Sequence, residues 1–515
     1  MRTFLLLTQR ALACVGLLTG LAAFFHPAVA QPTHRTVLTA DQAHEDMLYL
    51  RRQLRTYHPG LGFYTPEAQM EQLFDSLYNH LDGPIDYLPF FRYIAPYVNG
   101  LKDGHTNLNH RRNYLNRATR YIPFYIRRVE GRYYVSHNAS EDSTVRRGTE
   151  LLAIDDKPIA TVHQELMDGD RSGSDGDNQT GREQWSLTQF ADYYAAWYGS
   201  MDSVQVRYRL PGDGTVRQTR LACPTSERFR QQLSLRYPRD FDRGSDLRQP
   251  NLSVRIVDSL SNTAVLRVSS FMNPRGFDPF QWAFKKRLKL AFRQIQAANV
   301  KHLIVDLQNN GGGAVLNSAR LLQYWLPKPF TVMQGERLKR AARAEMITRW
   351  NPFSALNFSL NYKTDEQGGW ANRAARQRFR PVGRLAFRGN LYLLMNGSSF
   401  SAATSVLAKT LDAGRGTFVG EACGGAYWGD FAGQFKFITL PHSQIQVRIP
   451  LKKLTHAVAA QHANGFTIEP DFPTARTYTD LLLNRNYTLH QALQLVQQGI
   501  SAVRVESTGQ LEAFK

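Results

Sequence analysis

Two stretches in the second half of the chain constrain the fold most. "KHLIVDLQNNGGGAVLNSARLLQYWL" (301–326) and "NLYLLMNGSSFSAATSVLAKTL" (390–411) each run from a short apolar segment through a Gly/Ser/Asn loop into a helical pattern, and the second leads on to "TFVGE" (417–421). Repeated strand–loop–helix units predict a largely parallel sheet covered by helices. Ligands bind such sheets at the carboxyl ends of the strands, which is where both loops fall.

The rest of the chain divides around this α/β core. At 515 residues it is too long for one ordinary core. Residues 1–30 read as a secretory leader: Arg2 and Arg10, an apolar run, then Ala28-Val29-Ala30 before Gln31. Cleavage near Ala30 sends the mature protein to the periplasm or out of the cell. Residues 31–115 form a helical region that opens on a Thr39–Gln42 capping box and stops first at Pro59-Gly60. Residues 116–225 change to short alternating strands with turns at Glu130-Gly131 and Asp155-Asp156, then a helix. That order matches a PDZ-like β module, which binds an extended peptide along a sheet edge. "DGDRSGSDGDNQTGRE" (168–183) reads as a polar loop within or beside it, and 225–250 as an Arg-rich linker. Residues 250–480 are the α/β core, 335–385 within it an insertion or lid without clear periodicity, and 481–515 a C-terminal helix and tail. "FITLPHSQIQVRIPL" (437–451) alternates as a hairpin.

Candidate chemistry gathers on the two loops. Gly311, Gly312 and Gly313 let backbone N–H groups approach an anion, and no Gly-Lys-Ser/Thr follows, which argues against a nucleotide P-loop. Among Ser398, Ser399, Ser401 and Ser405, Ser401 stands at the first turn of the helix, where the dipole and free N–H groups such as that of Ala402 favour negative charge. A helix cap is the ordinary role of such a serine. A serine nucleophile needs a base, and His105 in "LKDGHTNL" offers an imidazole two residues from Asp103.

Together these segments resemble the tail-specific, or C-terminal processing, serine peptidases, which include a tricorn-like branch. "VDLQNNGGG" is similar to the family's Asp-Leu-Arg-x-Asn-Gly-Gly-Gly segment, and "GSSFSAATS" to its nucleophile segment, with Thr404 where an acid is usual. The resemblance implies a ClpP/crotonase-like core, Ser401 as nucleophile, His105 as general base, and an oxyanion hole from Ala402 with Gly311 or Gly312. The lysine of the Ser/Lys branch is replaced by Ala426 in "FVGEACGGAYWGD", which places the chain nearer the Ser/His branch. For the third triad member Asn464 stands about where an acid is expected, leaving Glu421, Asp103 and Glu469, with Glu421 preferred. A peptide or protein substrate and no cofactor follow, and the alternative is an inactive peptide- or ligand-binding protein on the same scaffold.

Composition narrows the remaining classes. The net charge of +20, or +18 without the two leader arginines, draws the protein to anionic envelope surfaces. The basic residues are scattered and carry no nucleic-acid motif. No His-Glu-x-x-His, Cys/His ligand spacing or calcium loop is present, so no metal is expected. Cys223 and Cys423 are the two cysteines beyond the leader, and an oxidising compartment would permit a bridge.

Overall fold

A computed structural model describes residues 37–238, 251–257, 262–272, 278, 281–347, 352–459, 467–504 and 511–514. The leader and Asn464 lie outside the described residues. No helix among them is long and apolar enough to cross a membrane.

The α/β core is built on a six-stranded sheet. Leu252–Ile256 runs antiparallel to Thr263–Val268, and His302–Asp306, Asn390–Met395, Thr417–Gly420 and Phe472–Pro473 then continue parallel to it. Central parallel strands are covered on both faces, so they read as apolar runs rather than alternation. Leu303, Ile304 and Val305 are all fully buried, each side chain contributing about 1.5–3 kcal/mol of transfer free energy. Leu303 and Val305 share a buried cluster with Phe284, Leu288 and Ala403, whereas Ile304 belongs to another with Leu495 and Val496 of the helix Tyr487–Gln497.

A second sheet holds Tyr362–Thr364, Trp370–Asn372, Met333–Leu338, Gln446–His456 and Gly429–Thr439 in that order. Much of the 335–385 segment is therefore structured: two strands join this sheet, and the helix Pro352–Asn361 packs Phe358 against Tyr362. The hairpin of Gly429–Thr439 and Gln446–His456 does two jobs. Ala432 and Leu454 at one end belong to the α/β core, while Ile438, Ile445, Val447 and Ile449 at the other pack into the N-terminal helices.

Those helices are Ala40–Tyr57, Glu67–Asn79 and Tyr87–Asn99, the first carrying the Thr39–Gln42 capping box. After them, Asn107–Asn109 adds a strand to Gln446–Arg448. That pairing brings the segment around His105 onto the core.

The five-stranded antiparallel path of the β module runs Phe124–Val129, Arg132–Asn138, Glu150–Ile154, Ser203–Arg209, Arg217–Ala222. Both expected turns have positive φ at their two central residues, 52° and 79° at Glu130-Gly131 and 44° and 64° at Asp155-Asp156, the twist that two-residue hairpins favour. The linker expected over 225–250 is a helix in its first half: Ser226–Arg236 buries Phe229 and Leu233 against this module. Cys223 and Cys423 are both free and buried, in the β module and the α/β core respectively. No bridge joins them.

Candidate active site

Two loops at the carboxyl ends of neighbouring strands are laced together before either reaches its helix. Asn309 and Asn396 exchange hydrogen bonds at 3.0 Å, Phe400 N–H donates to Asn310 O at 3.0 Å, and the Ser399 hydroxyl donates to Leu307 O at 2.8 Å. These bonds hold Ser401 at φ 54°, ψ −120° immediately before the helix Ala402–Asp412. Few side-chain-bearing residues adopt such a backbone, and it persists only where the surroundings over-determine it. Strand, strained serine and helix in succession push the hydroxyl out of the sheet.

The hydroxyl cluster sorts itself by environment. Ser398, Ser399 and Ser405 are buried and Ser401 is partly exposed. Ser401 makes no side-chain cap to its helix, so capping does not account for it. Thr404, in the place of the usual acid, is buried and reaches back to Ser399 O at 3.4 Å. Ser405, one turn deeper, donates to or accepts from His456 Nε2 at 2.9 Å.

The glycine loop comes up against the nucleophile position. A Cβ on Gly312, whose φ is 102°, would lie 2.7 Å from Ser401 Cβ and 2.9 Å from Ala402 N. Only glycine permits that approach. The Gly312 N–H is, however, donated to Asn310 Oδ1 at 2.9 Å. The Asn310 carboxamide folds under the loop and takes the hydrogen that Gly312 would offer as an oxyanion donor. Gly311 is exposed beside it, and Ala402 opens the helix that follows Ser401.

His105 stands in a buried acidic nest. Its Nδ1 has no hydrogen-bond partner and lies 3.9 Å from Asp103 Oδ1. Asp103 is fixed from several sides: Oδ2 meets His58 Nε2 at 3.0 Å and accepts from the Thr106 hydroxyl at 2.5 Å, and Oδ1 accepts from His105 N–H at 3.0 Å. Asp175, carried in by the loop after the helix Ile159–Gly169, accepts from Gly104 N–H at 3.0 Å through Oδ1 and leaves Oδ2 unpartnered. The His105 ring lies 4.6 Å from that of Phe400, the residue before Ser401. Gly104 makes room for the arrangement, because a Cβ there would meet Phe400 and the Ser174 backbone below 3.0 Å.

Burial dominates the protonation equilibria. It pushes His105 down to about 4, against the raising effect of Asp103, so the ring is neutral across the physiological range. Burial also raises Asp103, but His58, His105 and Thr106 together outweigh it and leave the carboxyl below its ordinary range. Asp175 is driven well up by burial and then by the charges of Asp103 and Asp430. Asp430 is raised to about 7 by burial and by Asp103, against a hydrogen bond with Ser401. Its Oδ1 is buried and unpartnered.

Glu421 is a different case. Its Oε1 accepts from the Tyr487 hydroxyl, and its charged neighbours are Arg476, Glu183 and Arg127 rather than His105. The preference for Glu421 as third triad member is corrected on that ground: the carboxyls around His105 are Asp103 and Asp175. Glu469 is raised by burial alone, with no histidine among its influences. Ala426, where the Ser/Lys branch has its lysine, is buried and bridges to Gly429 and Thr467. Sequence reasoning missed Asp175, Asp430 and His58. Gly-Asp after the aromatic pair Tyr427-Trp428 was the available signal for Asp430; Asp175 sits in a stretch whose composition reads as solvent-facing.

Fold and site together define a multidomain serine-type peptidase. Residues 262–473 match Peptidase family S41 and residues 118–225 match a PDZ domain, a combination that fits the tail-specific proteases. Mature CPAF is similar at 18% identity over 92% of this chain and 99% of its own, with a TM-score of 0.59. A structure of mature CPAF complexed with lactacystin matches at 17% identity over 89% and 98%, TM-score 0.59. The photosystem II D1 C-terminal processing protease matches at 12% identity over 84% and 93%, TM-score 0.39. Among curated proteins no sequence relative matches. The fold is thus shared with CPAF over 92% of this chain, and peptides or proteins are the substrates of the class.

Proposed function

We propose that the protein hydrolyses peptide bonds through an acyl-enzyme on Ser401, with His105 as general base. The observation that carries this reading is the strained, uncapped Ser401 at the helix N-terminus with Gly312 packed against it. Neutral His105 carries its proton on Nδ1, towards Asp103 and Asp175, and accepts the Ser401 proton at Nε2. As Oγ bonds to the substrate carbonyl carbon, the carbonyl electron pair moves onto oxygen and faces the N–H groups of Ala402 and Gly311. Such donors contribute about 3–4 kcal/mol each in acyl transfer. The imidazolium, steadied by Asp103, returns the proton to the leaving amine, and water then releases the acyl group by the reverse path. The PDZ domain supplies a sheet edge for the substrate chain end. We propose further that residues 1–30 act as a cleaved leader and that this chemistry takes place in the periplasm or outside the cell.

A second reading draws on the Ser401–Asp430 hydrogen bond: the Asp430 carboxylate takes the serine proton directly. The two differ in pH dependence. A base at His105 works down to about pH 4, whereas one at Asp430 gains activity through about pH 7. Fluorophosphonate labelling followed from pH 4 to 9, with His105→Ala and Asp430→Asn alongside wild type, tests the choice. Lactacystin is a second probe, since a CPAF structure holds it. Wild-type protein that neither reagent modifies returns the chain to the inactive, ligand-binding alternative.

A further inference from the structure

We propose that Asp103, His105 and Asp175 form a binding site for a divalent cation of Zn²⁺ type, and that the cation switches the peptidase off reversibly. A ring nitrogen of His105, a carboxylate oxygen of Asp103 and one of Asp175 all lie within 4.8 Å of one another, and His105 Nδ1 is 3.9 Å from Asp103 Oδ1. Two atoms of these residues, His105 Nδ1 and Asp175 Oδ2, are buried without a hydrogen-bond partner. Leaving a buried polar atom unsatisfied costs about 1–3 kcal/mol, so two of them within one cluster of ligand-type residues call for an occupant.

The surroundings are those of a prepared ligand set. Asp175 is held through Oδ1 by Gly104 N–H, which leaves Oδ2 for the cation. Asp103 is oriented through Oδ2 by His58 and Thr106, which leaves Oδ1 turned to His105. Outer partners of this kind fix metal-binding carboxylates and stiffen the site. One imidazole nitrogen with two carboxylates suits Zn²⁺ and excludes the hard, all-oxygen preference of Ca²⁺ or Mg²⁺. Ligand atoms about 3.4 Å apart suit a tetrahedral ion with bonds of about 2.0–2.1 Å, so side-chain rotations drawing the three atoms together complete the site, and water takes the fourth position. The ligands come from positions 103, 105 and 175, on two different segments, which is why short-range motif spacing gives no sign of them.

The regulatory part rests on the reading of His105 as general base. With Nδ1 bonded to the cation, the single proton of a neutral imidazole resides on Nε2, which then has no lone pair for the Ser401 proton. Chelation removes the ion and restores the base.

The test uses the full mature chain stripped of metal. Calorimetric titration of Ser401→Ala with Zn²⁺ should show one strong site per chain, weakened at least tenfold by either Asp175→Asn or His105→Gln, each checked for folding by its melting curve. The exposed Glu45–His442 pair is the obvious adventitious site, so Glu45→Gln should leave the strong site unchanged. Ca²⁺ and Mg²⁺ should not compete. In wild type, Zn²⁺ should suppress fluorophosphonate labelling at least tenfold, with full recovery in EDTA. Absence of a strong site in Ser401→Ala, or one indifferent to both ligand variants, overturns the proposal. A strong site that leaves labelling untouched retains the cation site and overturns its inhibitory role together with His105 as base.

Discussion

Ser401 and Ser405 stand a single helical turn apart, and the two serines and the histidines considered with them differ in every respect that matters for chemistry. Ser405 and His456 are hydrogen-bonded at 2.9 Å, with the other ring nitrogen of His456 on Tyr427 O at 3.0 Å and both side chains sealed in the interior. Both ring nitrogens are satisfied and the pair is inert. Ser401 is strained, partly exposed and uncapped, and His105 has a ring nitrogen facing two carboxyls without a bond to either. A closed hydrogen bond marks a structural pair here, whereas unsatisfied groups held in place by saturated neighbours mark the reactive one. Active sites store strain and desolvation that the rest of the fold offsets.

Substitutions can break this contrast. Ser401→Ala and His105→Ala should each lower peptide hydrolysis by a factor of about 10³ or more with little change in melting temperature, while Ser405→Ala should keep most activity and cost about 1–3 kcal/mol of stability by orphaning His456 Nε2. Equal losses in Ser401→Ala and Ser405→Ala would erase the distinction. Gly312→Ala should be nearly as damaging as loss of the nucleophile, because its Cβ would lie 2.7 Å from Ser401 Cβ; activity and thermal unfolding measured together separate the local clash from global unfolding.

Asp430 sharpens the comparison through pH. Its folded-state pKa is raised from 3.8 to about 7, so its stabilising protonated form is fully present below about pH 4 and is lost as pH rises through about 7. Asp430→Asn should therefore melt higher than wild type above pH 7 and match it near pH 4. With His105 as base the variant keeps its labelling rate within a few-fold, and a collapse of labelling supports the Asp430 reading. The smallest effect belongs to Glu421→Gln, whose partner is Tyr487. Hydrolysis should stay within about twofold, and a loss of a hundredfold would bring Glu421 back as the orienting acid.

Local chemistry made part of this legible in sequence. Apolar runs ending in Asn-Gly-Gly-Gly and Asn-Gly-Ser-Ser announce strands, loops and helices because each signal is contained in a few neighbouring residues. Ser401 and His105 stand out for the same reason. Asp175 did not, because "SGSDGDNQ" has the composition of a solvated loop, and its burial depends on backbone bonds to remote segments: Asp175 N–H donates to Gly424 O at 3.1 Å and Gly176 N–H to Lys102 O at 2.8 Å. Asp430 was hidden within a strand whose register only the long hairpin defines. Glu421 looked well placed by its position at a strand end, but the neighbouring helix Tyr487–Gln497 claims its side chain.

The most direct measurement is fluorophosphonate labelling of metal-free wild type, Ser401→Ala and Ser405→Ala at pH 7.5, with the modified residue located by peptide mass. Modification of Ser401 in wild type and in Ser405→Ala, and none in Ser401→Ala, is the predicted result. Label retained in Ser401→Ala, or found on any other serine, contradicts the assignment on which the account stands.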